Sequence, residues 1–261
     1  MSKIKAVIFD WAGTTVDFGC FAPVAAFMES FKKHGIEVTE EETRKPMGML
    51  KIDHIRTMLK MPRIAALWQE KYGREANDED ALAIYADFEP LLLASLNDYS
   101  TVKPYVLDTV QQLRAKDIKI GSTTGFNDKM MQIVTAAAVQ QGYQPDFWIS
   151  PDFTGNVGRP YPYMIFRNMY KLGIQSVSEV VKVGDTVADI MEGKNAGVWS
   201  VGVIDGSSVM GISQDKYDAL SDGELLSLRA QVRKTLMEAG ADFVINDLRQ
   251  LSEVIRIIEK A

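Results

Sequence analysis

A strand buried on both faces has to lie inside a sheet covered by helices, and it reads as an unbroken apolar run rather than an alternating one. Val7, Ile8 and Phe9 form such a run, which stops at Asp10 and is followed by Gly13, Thr14 and Thr15. A carboxylate at the end of a buried strand stands where open α/β sheets meet their ligands, outside the carboxyl edge. A polar turn after a strand looks the same in isolation, so its meaning depends on the later strands.

From Tyr99 onward helix and strand alternate, the signature of a parallel sheet. The expected strands are Ile118–Ser122, Asp146–Ser150, Val180–Val183, Trp199–Ile204 and Ala241–Ile245. Helices are expected at Val106–Lys116, Asp128–Gln141, Tyr163–Leu172, Ala188–Ala196, Glu224–Ala239 and Leu248–Lys260. Before Tyr99 the pattern is different. Phe21–His34 has helical spacing and stops at Gly35, and Thr39 to about Asn97 contains no convincing strand. Pro46 and Pro62 divide that tract, and Asp78–Leu96 reads as one amphipathic helix. Roughly eighty residues of helix is too long for a single crossover. The expectation is an α/β fold: a doubly wound, mostly parallel sheet domain of residues 1–19 and 99–261, with an inserted α-helical cap of residues 20–98.

Composition narrows the classes. With 261 residues, 46% apolar and 25% charged, the chain is an ordinary globular protein. A net charge of −6 argues against nucleic acid or an anionic membrane as a general partner. No apolar run is long enough to cross a bilayer and no signal-peptide pattern precedes the first strand, so a cytoplasmic location is expected. Cys20 is the only cysteine, which excludes an internal disulfide and reads as a buried thiol in a reducing compartment.

Three further polar groups punctuate the strand ends. Ser122-Thr-Thr-Gly125 leaves backbone N–H groups for an anion, or serves as an ordinary helix cap. Gly184-Asp185 and Asp189 place two more carboxylates at a strand end and on the first turn of a helix, where capping is the alternative role for Asp189. Gly158-Arg159-Pro160 carries a cation in a restricted loop; a free guanidinium there suits a phosphate or phosphonate oxygen, although many arginines are simply surface groups. Their convergence at one sheet edge makes an anion site with a hard divalent metal.

Asp10-Trp-Ala-Gly-Thr14, Ser122–Gly125, Arg159 and Gly184-Asp185 with Asp189 together resemble the four ordered motifs of the haloacid dehalogenase superfamily. That resemblance implies Asp10 as a nucleophile toward phosphorus, Mg²⁺ held by Asp10, the Ala12 carbonyl and Asp185, and a helical cap. One departure is informative. Phosphatases of the superfamily carry an acid two residues after the nucleophile, and this chain has Ala12 there. Either activity is lost or the leaving group needs no acid at that point.

Lys45–His54 supplies an answer, since on a helix Lys51 and His54 share a face. An unperturbed lysine is neutral in only about one molecule in a few thousand at pH 7, so a nucleophilic Lys51 needs an apolar setting, which Met47, Met49 and Leu50 can supply. A solvated lysine and a structural histidine are the plainer alternatives. With Asp10–Thr15 and Gly158–Pro162, this stretch resembles the phosphonoacetaldehyde hydrolase (phosphonatase) family along essentially the whole chain. The resemblance implies an iminium on Lys51 with His54 beside it, Mg²⁺ at Asp10, Ala12 and Asp185, support from Asp189, and substrate contacts from Met47, Thr124, Gly125 and Arg159. It also implies a homodimer and a small phosphonate substrate cleaved to acetaldehyde and phosphate. Phe126 stands where that family has tyrosine. The alternatives are a phosphate-ester hydrolase or phosphomutase, a metal-independent haloacid dehalogenase, and an inactive phosphonate-binding module.

Overall fold

The computed structural model describes residues 3–260; Met1, Ser2 and Ala261, the ends of the expected sheet domain, lie outside the described residues. Six strands form one parallel sheet: β1 (Ala6–Phe9), β2 (Lys119–Thr123), β3 (Phe147–Ile149), β4 (Val180–Gly184), β5 (Trp199–Val203) and β6 (Phe243–Ile245). Their spatial order is β3-β2-β1-β4-β5-β6. The order reverses between β1 and β4, the switch point at which such sheets open a crevice.

Every residue of β1 is buried, and its side chains alternate between two cores. Val7 and Phe9 join the large apolar cluster of Val110, Leu113, Met130, Met131 and Leu251, while Ala6 and Ile8 pack with Ile165 and Met169 on the opposite face. Phe9 lies level with Ser122 of β2 and Val183 of β4, so Asp10 emerges beside Thr123 and Gly184.

Only helices lie between β1 and α6 (Val106–Arg114): α1 (Ala22–Lys33), α2 (Glu40–Arg44), α3 (Lys51–Leu59), α4 (Pro62–Tyr72) and α5 (Asp78–Ser95). Pro62 opens α4, where its missing N–H costs nothing, and Pro90 lies inside α5 without ending it. Residues 45–50 form turns rather than helix, so α3 begins at Lys51 itself. Phe27, Phe31, Ile55, Trp68, Ile84 and Phe88 of these helices belong to the same continuous apolar cluster as Val7 and Phe9.

The remaining helices are α7 (Asp128–Gln140), α8 (Tyr163–Leu172), α9 (Val187–Ala196), α10 (Gln214–Asp218), α11 (Asp222–Glu238) and α12 (Leu251–Lys260). The last expected helix begins as a 3₁₀ turn, Leu248–Gln250, capped by Asp247. α10 has no apolar period and was not expected. Among the described residues no helix is long and apolar enough to cross a membrane.

Candidate active site

At the β1 exit Gly13 has φ +88°, and a Cβ there would lie 2.2 Å from Asp185 Oδ2. The loop after Asp10 therefore needs glycine so that Asp185 can approach. Asp185 Oδ1 accepts a hydrogen bond from Thr14 Oγ1 at 2.7 Å and Oδ2 accepts one from the Ser208 amide at 2.7 Å. Asp10, Asp185 and Asp189 are all buried, with one oxygen of each within 4.8 Å of the others. Burial, and then the charges of Asp10 and Asp189, push Asp185 up to about 8. Such a cluster calls for a cation.

Two cations already serve it. Arg159, at a cis Arg159–Pro160 peptide, donates from Nη2 to Asp10 Oδ1 at 2.7 Å, pairs through Nη1 with Asp189 Oδ1 at 3.0 Å, and donates from Nε to Glu192 Oε2 at 2.9 Å. Lys182, wholly buried in β4, meets Asp189 Oδ1 at 2.8 Å, Glu192 Oε2 at 3.4 Å and Thr123 Oγ1 at 3.0 Å. The expected free guanidinium is thus a correction: Arg159 is fully engaged, because three carboxylates from distant parts of the chain converge on it. Burial alone would raise Asp189, but Arg159 and Lys182 hold it below its ordinary value. Its Oδ2 accepts from Thr186 Oγ1 at 2.6 Å within the capping box of α9, so capping and charge pairing fall on one side chain. Four clustered carboxylates (Asp10, Asp185, Asp189, Glu192) meet Arg159 and Lys182, with Lys103 acting on Asp185 from the other side, and the concentration of acidic groups is one that a divalent ion would offset.

Across from this cluster lie residues of the helical segment. Lys51 is buried at the start of α3, its Nζ 4.9 Å from the Phe126 ring centroid and 5.9 Å from that of Phe27. It makes no ion pair within 4.0 Å among the described residues. Burial lowers its pKa; Cys20 and Asp10 oppose that, and Arg159 adds to it. His54 lies one turn along, stacked on Phe27 at 3.9 Å, with Nε2 2.8 Å from the Thr43 carbonyl. That contact requires the proton on Nε2 and leaves Nδ1 as a buried acceptor without a partner. Burial, and then Lys51, keep His54 well below the usual imidazole value.

Asp10, Ala12, Cys20, Met47, Gly48, Lys51, Thr124, Gly125, Phe126, Arg159 and Thr186 line one cavity. The sequence-expected site residues Asp10, Ala12, Met47, Lys51, Thr124, Gly125 and Arg159 are thereby brought together; His54, Asp185 and Asp189 stand behind its wall. The cavity measures about 20 Å³ for water-sized contents, enough for roughly one water molecule. It is closed by the turn before α3: a Cβ on Gly125 would lie 2.5 Å from the Met49 carbonyl, and Arg159 Nη1 reaches the Gly48 carbonyl at 3.4 Å.

A sequence profile of haloacid dehalogenase-like hydrolases matches residues 4–197. A phosphonoacetaldehyde hydrolase of Lysinibacillus sphaericus is 50% identical over 99% of this chain and 96% of its own length. The chain is 49% identical to a bifunctional phosphonoacetaldehyde hydrolase/aminoethylphosphonate transaminase of Clostridioides difficile, covering 98% of this chain and 40% of that protein. The chain belongs to the phosphonoacetaldehyde hydrolase family. A crystal structure of a phosphonoacetaldehyde hydrolase-like protein from Oleispira antarctica, 39% identical, superposes with a TM-score of 0.94 over 99% of this chain and 93% of that one.

Within this family frame, several site residues were not singled out from the sequence. Lys182 carried a signal: a lysine inside Val180-Val-Lys-Val183, a strand buried on both faces, needs an internal counter-charge. Glu192, one turn after Asp189, supplies it. Phe27 and Ser208 became visible only when distant segments were brought together.

Proposed function

We propose that this protein hydrolyses the C–P bond of phosphonoacetaldehyde to acetaldehyde and phosphate, using Lys51 and Asp10 from opposite walls of one cavity. What carries the reading is a lysine buried among aromatic rings beside a carboxylate held by an arginine.

A substrate with a two-carbon chain does not fit the cavity described, so residues 20–98 would act as a cap that opens on the sheet domain of residues 1–19 and 99–261. On closure the Lys51 amine, whose proton affinity burial lowers, attacks the aldehyde carbon in its neutral form. His54 Nδ1, the unpartnered acceptor, takes up and returns the protons as water is lost and the iminium forms. Asp10 then attacks phosphorus in line. The O–P bond forms, the C–P bond breaks, and its electron pair passes into the iminium to give an enamine. No acid is needed at the leaving carbon, which accounts for Ala12. Protonation of the enamine carbon and hydrolysis release acetaldehyde and free Lys51; water cleaves the aspartyl phosphate.

Arg159 orients Asp10, and its Nη1, which here reaches the Gly48 carbonyl of the cap, is the group that cap opening would release to a phosphonyl oxygen, with Thr124, Gly125 and Met47 completing the surroundings. The acidic cluster fits a divalent ion, for which we propose Mg²⁺ at Asp10, the Ala12 carbonyl and Asp185. Both oxygens of Asp189 are taken by protein partners, so its share is through water. When bound, Mg²⁺ offsets charge on the phosphonyl oxygens.

A cytoplasmic homodimer without nucleic-acid or membrane partners completes the reading. The exposed Tyr163, Phe166 and Tyr170 face of α8 is a surface suited to a second copy. The test is an assay for acetaldehyde and phosphate in equal amounts from phosphonoacetaldehyde, abolished by EDTA and restored by Mg²⁺. Faster turnover of an aryl phosphate would favour an ester hydrolase instead.

A further inference from the structure

Arg44 ends α2 in the cap, yet its side chain is only 11% exposed because it reaches across to the sheet domain. Nη1 donates to the Gly19 carbonyl at 2.8 Å and to the Ser208 carbonyl at 3.3 Å. The guanidinium also lies 4.8 Å from the Phe21 ring centroid, and Nε donates to Glu40 at 2.8 Å. Ser208 is the residue whose own amide donates to Asp185 Oδ2. The loop containing it is gripped from its other end by Lys103, whose buried ammonium donates to the carbonyls of Gly13, Asp205 and Gly206. One cation of the sheet domain and one of the cap therefore hold the same loop. Gly211 in that loop has φ +66°, and a Cβ there would lie 3.0 Å from Arg44 Nε, so the backbone is shaped to lie against the guanidinium.

We propose that Arg44 is a positioning residue: from the cap it holds the Ser208 loop so that the Ser208 amide keeps Asp185 oriented, and cap closure thereby completes the metal site. This rests on the reaction proposed above, because it gives closure a task besides carrying Lys51 to the substrate. Lys103 and the carbonyls it holds all belong to the sheet domain, so that grip would not depend on the cap, whereas the Arg44 bonds cross from the cap and would be lost on opening. Metal affinity should then depend on a cap residue that touches no metal ligand.

The test is Mn²⁺ binding to the full chain, read from loss of the free-ion electron paramagnetic resonance signal, with kcat and KM measured alongside. Arg44→Met should raise the Mn²⁺ dissociation constant about tenfold, the scale of lost support behind a ligand, and lower kcat more than it raises KM. Arg44→Lys should recover most of the affinity, because an ammonium can still donate to a carbonyl. Gly211→Ala should weaken binding in the same direction, by pressing on the guanidinium from the other side. Glu40→Gln should bind like wild type. Equal Mn²⁺ affinity in wild type and Arg44→Met would overturn the coupling and leave the proposed reaction standing. An Arg44→Lys variant as impaired as Arg44→Met would also overturn it, reducing Arg44 to packing. A wild-type chain that binds no Mn²⁺ would overturn the metal reading and this proposal together.

Discussion

The two walls of the cavity treat charge in opposite ways. On the sheet side Asp10, Asp189 and Glu192 are buried but paired, each meeting Arg159 within 3.0 Å. On the helical side Lys51 and His54 are equally buried but have rings and a backbone carbonyl for neighbours, with no counter-ion. Ion pairing offsets the cost of burying a charged carboxylate, and burial without a counter-ion lowers the proton affinity of an amine and an imidazole. A carboxylate that attacks phosphorus needs the first environment and an amine that attacks a carbonyl needs the second. On the proposed reaction, one small cavity would serve two nucleophiles of opposite charge preference.

The contrast can be broken from either side. The largest effect should come from Asp10→Asn, which removes the paired carboxylate: phosphate release should fall by at least about 10⁴-fold, measured with phosphonoacetaldehyde, while addition of the aldehyde to Lys51 persists. Arg159→Lys keeps the charge but loses the fork that joins three carboxylates, and should lower kcat/KM by about 10²-fold. If it performed like wild type, point charge alone would explain the sheet side. Phe126→Gln sharpens the other side by placing a polar group against Lys51. The lysine pKa should rise, and at any pH below that pKa each unit of rise shrinks the neutral fraction, and with it the rate of aldehyde capture, about tenfold. The capture rate plotted against pH reads this directly.

The smallest expected effect concerns stability. His54 has a folded-state pKa well below its unfolded value of 6.5, so below about pH 6.5 the unfolded chain binds the extra proton and stability falls with pH. That slope is at most about 1.4 kcal/mol per pH unit. Asp17, raised to about 6 by burial, works the other way and gains stability as pH falls through that value. The informative quantity is thus the difference between wild type and His54→Asn in urea unfolding at pH 7.5 and 5.5. The variant should lose less stability on acidification, and identical slopes would mean that His54 is not held neutral.

Much of the sheet was legible because its strands are buried on both faces, so Val7–Phe9 stands out as an unbroken apolar run and Val180–Val183 as a valine run interrupted only by Lys182. Asp10 and Asp185 were legible for the same reason, as the charges that end those runs. Boundaries in the helical segment were harder: the turns at 45–50 place Lys51 at a helix start, a geometry that 3.6-residue periodicity does not report. The partners of Arg159 were hidden as well, since Asp10, Asp189 and Glu192 lie 149, 30 and 33 positions away and nothing local ties them to it. Ser208 was hidden further still, because it acts through a backbone amide that any residue but proline would carry.

The central claim is that Lys51 takes the aldehyde covalently while Asp10 takes the phosphorus. Borohydride added with phosphonoacetaldehyde, followed by peptide mass spectrometry, tests it most directly. The expected result is a reduced adduct on Lys51 alone, retained in Asp10→Asn and absent in Lys51→Arg, which should also lose turnover. Normal turnover by Lys51→Arg, or wild-type turnover with no trapped adduct, would contradict it.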